Sequence, residues 1–267
     1  MKIGIFDSGL GGLIITHSVM TKLPDYDYVY LGDTARVPYG NRSMELVYQF
    51  TCEALGYLLG EADCALVIIA CNTASAEALR RVQQTWLPGH YPDRNVLGVM
   101  VPTAEAVKEL NKGRVGVLAT VGTVATGTYV TEITKLSSAA AVTQSPAPLL
   151  VPLIENGGVR YAEPILRDYL QPLIEAKIDT LVLGCTHYPV LLEPIMRLMG
   201  SSVTIIAPNV ILPPKLSDYL DRHPEIETKL GRDAIREFLV TDITPAATTL
   251  AATLFGEPVK LKLVKLD

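Results

Sequence analysis

Short apolar runs rich in β-branched residues alternate with longer amphipathic segments along most of the chain. The runs ALVIIA at residues 65–70 and TLVLG at residues 180–184 are continuously apolar, which is typical of strands buried on both faces of a parallel sheet. Strands that alternate with helical patterns of about ten residues or more favour βα units. The pattern therefore predicts an α/β fold with mostly parallel sheets.

The periodicity locates the elements of this fold. The predicted strands are residues 2–6, 28–31, 65–70, 95–99, 114–119, 180–183 and 202–207. The predicted helices are residues 12–22, 44–61, 75–85, 103–111, 123–136, 161–176 and 190–199.

Two of these strand segments have counterparts later in the chain. KIGIFDSG at residues 2–9 resembles RVGVLATVG at residues 114–122, an offset of 112 (114 − 2). DCALVIIACNTAS at residues 63–75 resembles IDTLVLGCTHYP at residues 178–189, where the cysteines are offset by 114 (185 − 71). Two matches at nearly one offset indicate a duplicated α/β unit. Chance similarity between buried strands is the alternative.

The last sixty residues or so are too few for a third domain of this kind. We expect this segment to return to the first half and complete it. The predicted domains are residues 1–97 plus 208–267 and residues 98–207.

Composition excludes several classes of protein. The net charge of −5, with no basic stripe and no aromatic RNA-reading motif, argues against a nucleic-acid partner. No apolar run approaches the ~20 residues of a membrane span, and MKIGIFDSG at the N-terminus predicts a strand and not a signal region. The four cysteines lack the dense spacing of a disulfide scaffold. We expect reduced thiols and a cytoplasmic location.

Cys71 and Cys185 each end an apolar run and hold corresponding positions in the two halves. In open α/β sheets the ligand crevice lies beyond the carboxyl ends of the strands, so both thiols are expected where sites form. A buried structural cysteine is the alternative. That alternative fits Cys52 and Cys64, which lie in or beside a helical pattern, better than it fits this pair.

The surroundings of the two cysteines exclude some thiol chemistry. A phosphatase loop would need arginine six residues after the cysteine, where Glu77 and Leu191 stand. No C-x-x-C motif is present for redox exchange or zinc. This favours two acid/bases over a nucleophile or a metal ligand: one thiolate would remove a proton from one face of a carbon, and the opposite thiol would protonate the other face. This is the geometry of a racemase or epimerase.

A thiol with a pKa of ~8.5 is mostly protonated at neutral pH and needs assistance to act as a base. His187, two residues beyond Cys185, is a candidate assistant, and a structural histidine is the alternative. Asp7 ends the first strand and is expected beside the strand that ends at Cys71. An Asp or Ser at such a position can instead cap the following helix, as is plausible for Ser8.

The glycine-rich segment DSGLGG at residues 7–12 does not match a nucleotide-binding fingerprint. A dinucleotide loop would need glycine where Ile14 stands, and no Gly-Lys-Ser/Thr follows. Bare amides at a helix N-terminus suit a carboxylate instead. Further donors are predicted at Asn72, Thr73, Thr186 and the turn at residues 37–40. No arginine clamp for a carboxylate is obvious, and Arg36 is the only candidate nearby.

These motifs together resemble the glutamate racemase family. The matching segments, in family order, are FDSGLGG at 6–12, GDTARVPYG at 32–40, ACNTAS at 70–75, a TVxxGxY element at 123–129, VPLIENG at 151–157 and LGCTHYP at 183–189. The resemblance implies two pseudo-symmetric flavodoxin-like domains with the active site in the cleft between them. It also implies interconversion of L- and D-glutamate without PLP, any other cofactor or a metal, supplying D-glutamate for peptidoglycan.

The resemblance also implies roles for individual residues. Cys71 and Cys185 would be the two acid/bases, assisted by Asp7, His187 and Glu155, although Glu155 could also be an ordinary carboxylate at a helix start. The residues implied to hold the substrate are Asp7, Ser8, Pro38, Tyr39, Gly40, Asn72, Thr73, Thr186 and His187. The implied partners are the small-molecule substrate glutamate and a second copy of the chain, with no nucleic acid and no membrane.

Two other functions compete with this one. The first is racemisation of aspartate or a related acidic amino acid, for which the second cysteine motif generally reads Cys-Thr-Glu; here it reads Cys185-Thr186-His187, which favours glutamate. The second is a non-catalytic regulatory protein that keeps the fold. The presence of both cysteines with their polar neighbours argues against it.

Overall fold

Ten strands form two sheets in a computed structural model that describes residues 1–110 and 113–266. The strands are β1 (Lys2–Asp7), β2 (Tyr28–Gly32), β3 (Cys64–Ile69), β4 (Asn95–Gly98), β5 (Arg114–Ala119), β6 (Ala141–Pro146), β7 (Thr180–Gly184), β8 (Thr204–Ile206), β9 (Arg236–Val240) and β10 (Leu261–Leu263).

Helices connect the strands and cover the sheets. They are α1 (Gly12–Lys22), α2 (Met44–Gly56), α3 (Asn72–Glu77), α4 (Leu79–Arg81), α5 (Leu87–His90), α6 (Met100–Leu110), α7 (Val121–Ala125), α8 (Thr128–Leu136), α9 (Leu150–Glu155), α10 (Ala162–Glu175), α11 (Leu192–Met199), α12 (Pro208–Arg222), α13 (Pro224–Glu227) and α14 (Pro245–Phe255).

The strand orders are β10-β9-β2-β1-β3-β4 in the first sheet and β6-β5-β7-β8 in the second, and the strand pairs are parallel. The predicted α/β class with parallel sheets is therefore confirmed. The order β6-β5-β7-β8 reproduces β2-β1-β3-β4 strand for strand. This correspondence is what a duplicated unit predicts and is hard to reconcile with chance similarity of single strands.

The central strands are buried on both faces. Ile3 and Ile5 of β1 enter one apolar cluster, whereas Phe6 enters the cluster on the opposite face. Leu181 and Val182 of β7 divide between two clusters in the same way. Side chains that alternate between faces fix the register, since a slip of one residue would exchange the two faces.

Three strands and several helix limits differ from the expectations. β6 is an edge strand of small and polar residues, and β9 and β10 are additional strands in the tail, where KLKL at residues 260–263 alternates polar and apolar residues. The predicted helix at residues 123–136 is two helices, because Gly127 between them has a φ of 64°. The helix predicted from residue 75 begins at Asn72. The helix predicted at residues 103–111 begins at Met100, and its last predicted residue, Asn111, lies outside the described residues.

The tail returns to the first sheet. β9 pairs with β2, and β10 pairs with β9. On this basis we propose the division into residues 1–97 plus 208–267 and residues 98–207, of which residues 111, 112 and 267 lie outside the described residues. Across the part of the chain that the structure describes, no helix has both the length and the apolar character needed to cross a membrane.

Gly32 provides a test of how tightly β2 packs against the loop after β1. A Cβ at Gly32 would lie 2.3 Å from the carbonyl oxygen of Gly9, which also accepts a hydrogen bond of 2.6 Å from the Tyr30 hydroxyl. We expect Gly32→Ala to lower the free energy of unfolding by roughly 1–3 kcal/mol, measured by urea denaturation, because backbone must move to admit the methyl group.

The matched control is Gly89→Ala, where a Cβ would meet open space. Its stability should stay the same or rise slightly, because alanine favours a helix over glycine. Equal stability of Gly32→Ala and the wild type would contradict the packing described here.

Candidate active site

Both predicted cysteines line one cavity of about 50 Å³ at the carboxyl ends of four central strands. Ser8 follows β1, Cys71 follows β3, Thr120 follows β5 and Cys185 follows β7. The register of the paired strands brings these residues together in each sheet. Phe6 is paired with Ile69 in the first sheet, and Ala119 is paired with Gly184 in the second. Parallel pairing thus brings the residues after each strand to one edge.

Most of the predicted site residues reach this cavity. Those that line it are Ser8, Pro38, Tyr39, Gly40, Cys71, Asn72, Thr73, Glu155, Cys185, Thr186 and His187. Asp7 does not line it and is fully buried behind it. Cys52 and Cys64 also lie elsewhere: Cys52 is half-buried in α2, and Cys64 begins β3.

Cys71 is held at the N-terminus of α3. The backbone N–H of Ala74 donates to its Sγ over 3.4 Å, and the thiol in turn donates to the Ser8 hydroxyl over 3.3 Å. Burial, followed by the charge of Asp7, raises the pKa of the Cys71 thiol to about 12 and outweighs these hydrogen bonds. Cys71 is therefore a protonated thiol at neutral pH. Ser8 does not cap α1, whose N-cap is Gly11.

Asp7 acts on the site from behind the cavity. Its Oδ2 accepts a hydrogen bond of 3.1 Å from the Gly9 N–H, whereas its buried Oδ1 has no hydrogen-bond partner. Burial raises the pKa of the Asp7 carboxyl, although the charge of His187 and the nearby amides oppose this. A carboxyl group with a raised pKa and a free oxygen is suited to exchanging a proton.

Cys185 has different neighbours. Its Sγ lies 3.9 Å from His187 Nδ1, and His187 Nε2 lies 3.0 Å from Glu155 Oε1. Burial lowers the pKa of the His187 imidazole, but the hydrogen bonds and charges of Cys185 and Glu155 outweigh it and raise the pKa to about 10. Glu155 is the last residue of α9, so the alternative of a carboxylate at a helix start is wrong.

The turn at residues 37–40 is fixed from beneath by Asp33. The Tyr39 hydroxyl donates to Asp33 Oδ2 over 2.5 Å, and Arg36 Nε donates to the same oxygen over 2.6 Å. Arg36 also donates to Glu53. Arg36, the candidate for a carboxylate clamp, is therefore held by two carboxylates of the protein and does not line the cavity. The network holds the turn that lines the cavity.

Sequence reasoning missed Thr120, a threonine that follows β5 and lines the cavity beside Thr73. The two hydroxyls are 3.0 Å apart, and Thr73 is also 3.3 Å from the Thr123 hydroxyl. The duplication contained the signal that could have found it, because adding the offset of 112 to Ser8 gives residue 120. Within the described residues, no three His, Cys, Asp or Glu side chains are grouped to hold a metal ion.

The raised pKa of His187 predicts how stability depends on pH. Native His187 keeps its proton up to about pH 10, whereas an unfolded histidine loses it near pH 6.5. The resulting stabilisation is complete below pH 6.5 and is lost as pH rises through about 10. We expect the free energy of unfolding to fall less steeply between pH 7 and 9.5 in His187→Gln than in the wild type, measured by urea denaturation at each pH.

The matched control for this comparison is His223→Gln, which removes a histidine from an exposed pair with Glu225. Identical slopes for His187→Gln and the wild type would show that the imidazole does not hold the additional proton.

Known proteins resemble this chain in sequence and in fold. The family model described as Asp/Glu/hydantoin racemase matches residues 14–212. A glutamate racemase from Phenylobacterium zucineum is 37% identical, over 98% of this chain and 99% of its own length. Two solved structures are also similar: a glutamate racemase isoform from Bacillus anthracis has a TM-score of 0.90 at 31% identity, covering 99% of this chain and 97% of its own.

The second is the glutamate racemase from Francisella tularensis in complex with D-glutamate, with a TM-score of 0.89 at 32% identity, covering 100% of this chain and 98% of its own. These matches confirm the resemblance to glutamate racemases that the motifs indicated. The chain belongs to the Asp/Glu/hydantoin racemase family.

Proposed function

We propose that this protein interconverts L- and D-glutamate and that Cys71 and Cys185 are its two acid/bases. The observation that supports this most strongly is that the two thiols follow equivalent strands of two equivalent sheets and line one cavity. A substrate carbon between them would present one face to each sulfur. Removal of the α-proton on one face and protonation on the other inverts the carbon.

The two thiols have different neighbours, and these favour proton removal by Cys185 and proton delivery by Cys71. Cys71 carries a proton that it can deliver, since the pKa of its thiol is raised to about 12. Cys185 lies beside His187, whose imidazole is charged at neutral pH and can donate a hydrogen bond to a thiolate. Glu155 holds that imidazole in place through Nε2. In this direction Cys185 is the base and Cys71 the acid.

The reverse direction requires Cys71 to lose its proton. The Ala74 N–H and the Ser8 hydroxyl are placed to bind the thiolate that forms. Asp7, with its raised pKa, can take up or return a proton behind the cysteine. The ammonium group of the substrate would add a positive charge to the cavity and favour thiolates there.

Proton transfer alone does not account for breaking a C–H bond next to a carboxylate. Positioned acid/base groups contribute about 10²–10⁴-fold, so stabilisation of the negative charge on the developing carbanion must supply much of the rest. The cavity offers hydroxyl donors at Thr73 and Thr186 and the side-chain amide of Asn72. Fixed donors in a cavity with little water stabilise charge more strongly than water does.

The cavity is smaller than the proposed substrate. A volume of about 50 Å³ accommodates only a few water molecules, which need ~10–15 Å³ each, whereas glutamate has ten non-hydrogen atoms. We expect the cleft between the two halves to widen when substrate enters and leaves. Closure around the substrate would then exclude water from the reacting carbon.

The wider role follows from the resemblance. The proposal includes supply of D-glutamate for peptidoglycan, catalysis without a cofactor, a cytoplasmic location and assembly as a homodimer. The relatives that support it are glutamate racemases that match over nearly their whole length. The complex of the Francisella tularensis enzyme with D-glutamate supports a small-molecule substrate for this site.

The substrate assay tests the proposal most broadly. We expect purified protein to remove the optical rotation of L-glutamate and of D-glutamate without any added cofactor, followed by polarimetry. Aspartate, the substrate of the competing racemase, should turn over far more slowly under the same conditions. Turnover of aspartate without turnover of glutamate would overturn the substrate assignment, and turnover of neither would overturn racemisation of these acids.

Removal of either thiol should stop inversion, because both faces of the carbon need a group that transfers a proton. We expect Cys71→Ala and Cys185→Ala each to lower kcat for racemisation by at least about 10²–10⁴-fold. Cys52→Ala, which removes a half-buried thiol outside the cavity, is the control and should racemise at the wild-type rate. Wild-type racemisation by either active-site variant would contradict a role for two bases.

A further inference from the structure

The side-chain amide of Asn72 is only half satisfied. Its Oδ1 accepts a hydrogen bond of 2.6 Å from the Tyr129 hydroxyl, whereas its Nδ2 is buried and has no hydrogen-bond partner. The residue is 2% exposed and lines the cavity. A buried donor without a partner is costly, so such a group in a cavity is well placed to meet a ligand.

Tyr129 comes from the other half of the molecule. It lies on α8, is 0% exposed and belongs to the apolar cluster that includes Val117 and Val182. A Cβ at Gly184, the residue before Cys185, would lie 3.0 Å from its ring, so the end of β7 and the ring are in close contact. These contacts leave the ring little freedom and fix where its hydroxyl points.

An asparagine amide can turn by 180° and exchange its oxygen and nitrogen, which differ little in shape. In one orientation Asn72 would offer the cavity two N–H donors, and in the other a carbonyl oxygen. Burial raises the pKa of Tyr129, which keeps its hydroxyl protonated and able to donate at any pH where the protein works. In the structure the Tyr129 hydroxyl donates to Oδ1 over 2.6 Å, and this hydrogen bond holds the amide in the orientation that leaves its nitrogen for the cavity.

We propose that Tyr129 is a positioning residue that orients the Asn72 amide so that its N–H groups face a carboxylate of the substrate. This inference rests on the proposed racemisation of glutamate. The donated hydrogen bond would strengthen as the α-proton leaves, because negative charge then moves onto the carboxylate oxygens. The opposite orientation would place a carbonyl oxygen against a carboxylate and repel the substrate.

Tyr129→Phe tests this with little change in shape, since only the hydroxyl is lost. We expect kcat/KM to fall roughly tenfold for both enantiomers of glutamate, the size of effect that the loss of one buried hydrogen bond produces. The pH profile of kcat/KM should keep its wild-type form, because Tyr129 transfers no proton. The decisive measurement is the same substitution in an Asn72→Ala background, where no amide is left to orient and Tyr129→Phe should have no further effect.

The control variant is Tyr28→Phe, which removes another hydroxyl from a buried tyrosine, one that donates to the Leu23 carbonyl away from the cavity. Its kcat/KM should equal that of the wild type, and its thermal unfolding shows how much a lost buried hydroxyl costs in stability. Wild-type kinetics in Tyr129→Phe would overturn the inference and leave the proposed function intact.

If Tyr129→Phe lowered kcat/KM by the same factor in the wild-type and Asn72→Ala backgrounds, the inference would also be overturned. The loss would then come from general packing and not from the orientation of the amide. Absence of glutamate turnover in the wild type is a different result, and it would overturn the proposed function and this inference together.

Discussion

Parallel pairing of the central strands is the constraint on which the site depends. β1 pairs with β3 and β5 pairs with β7, and burial on both faces fixes their register. With the register fixed, the residue after each strand has one possible position at the edge of its sheet. Cys71 and Cys185 therefore reach the cavity without loops of special conformation, and each is followed within a few residues by a helix or helical turn. The chemistry is attached to the ends of buried central strands.

The duplication explains why two thiols meet, and departures from it explain why they are unequal. At the offset of 112, Asp7 corresponds to Ala119, so only the first half has an acid at this strand end. At the offset of 114, His187 corresponds to Thr73, so only the second half has an imidazole beside its cysteine. The pKa of Cys71 is raised by burial and by Asp7, whereas Cys185 has a charged imidazole as a neighbour. A symmetric scaffold thus holds an asymmetric pair.

The sequence predicted those features that depend on a short local pattern of apolar and polar residues. Apolar runs located the central strands, and polar residues after those runs located most of the cavity lining. Edge strand β6 was missed because its residues are small and polar and gain little from burial. The partners of Arg36 were not predictable, because a sequence does not show which carboxylates its guanidinium meets.

The contact between Tyr129 and Asn72 joins residues 57 positions apart on different halves. No periodicity encodes it, because it depends on how α8 packs against the end of β7. Thr120 is an intermediate case, since comparing the two halves residue by residue would have identified it. The sequence pattern therefore does not predict contacts between side chains that are far apart along the chain.

The fate of the α-hydrogen is the most direct test of two thiols acting from opposite faces. L-Glutamate is incubated with the protein in heavy water, the reaction is stopped early, and deuterium at Cα is measured by mass spectrometry in each enantiomer separately. If one thiol removes the proton and the other delivers a solvent-derived one, the D-glutamate formed carries deuterium while the remaining L-glutamate keeps its original hydrogen. Equal deuterium in the remaining substrate and the product, or product that keeps the original hydrogen, would show that a single group serves both faces.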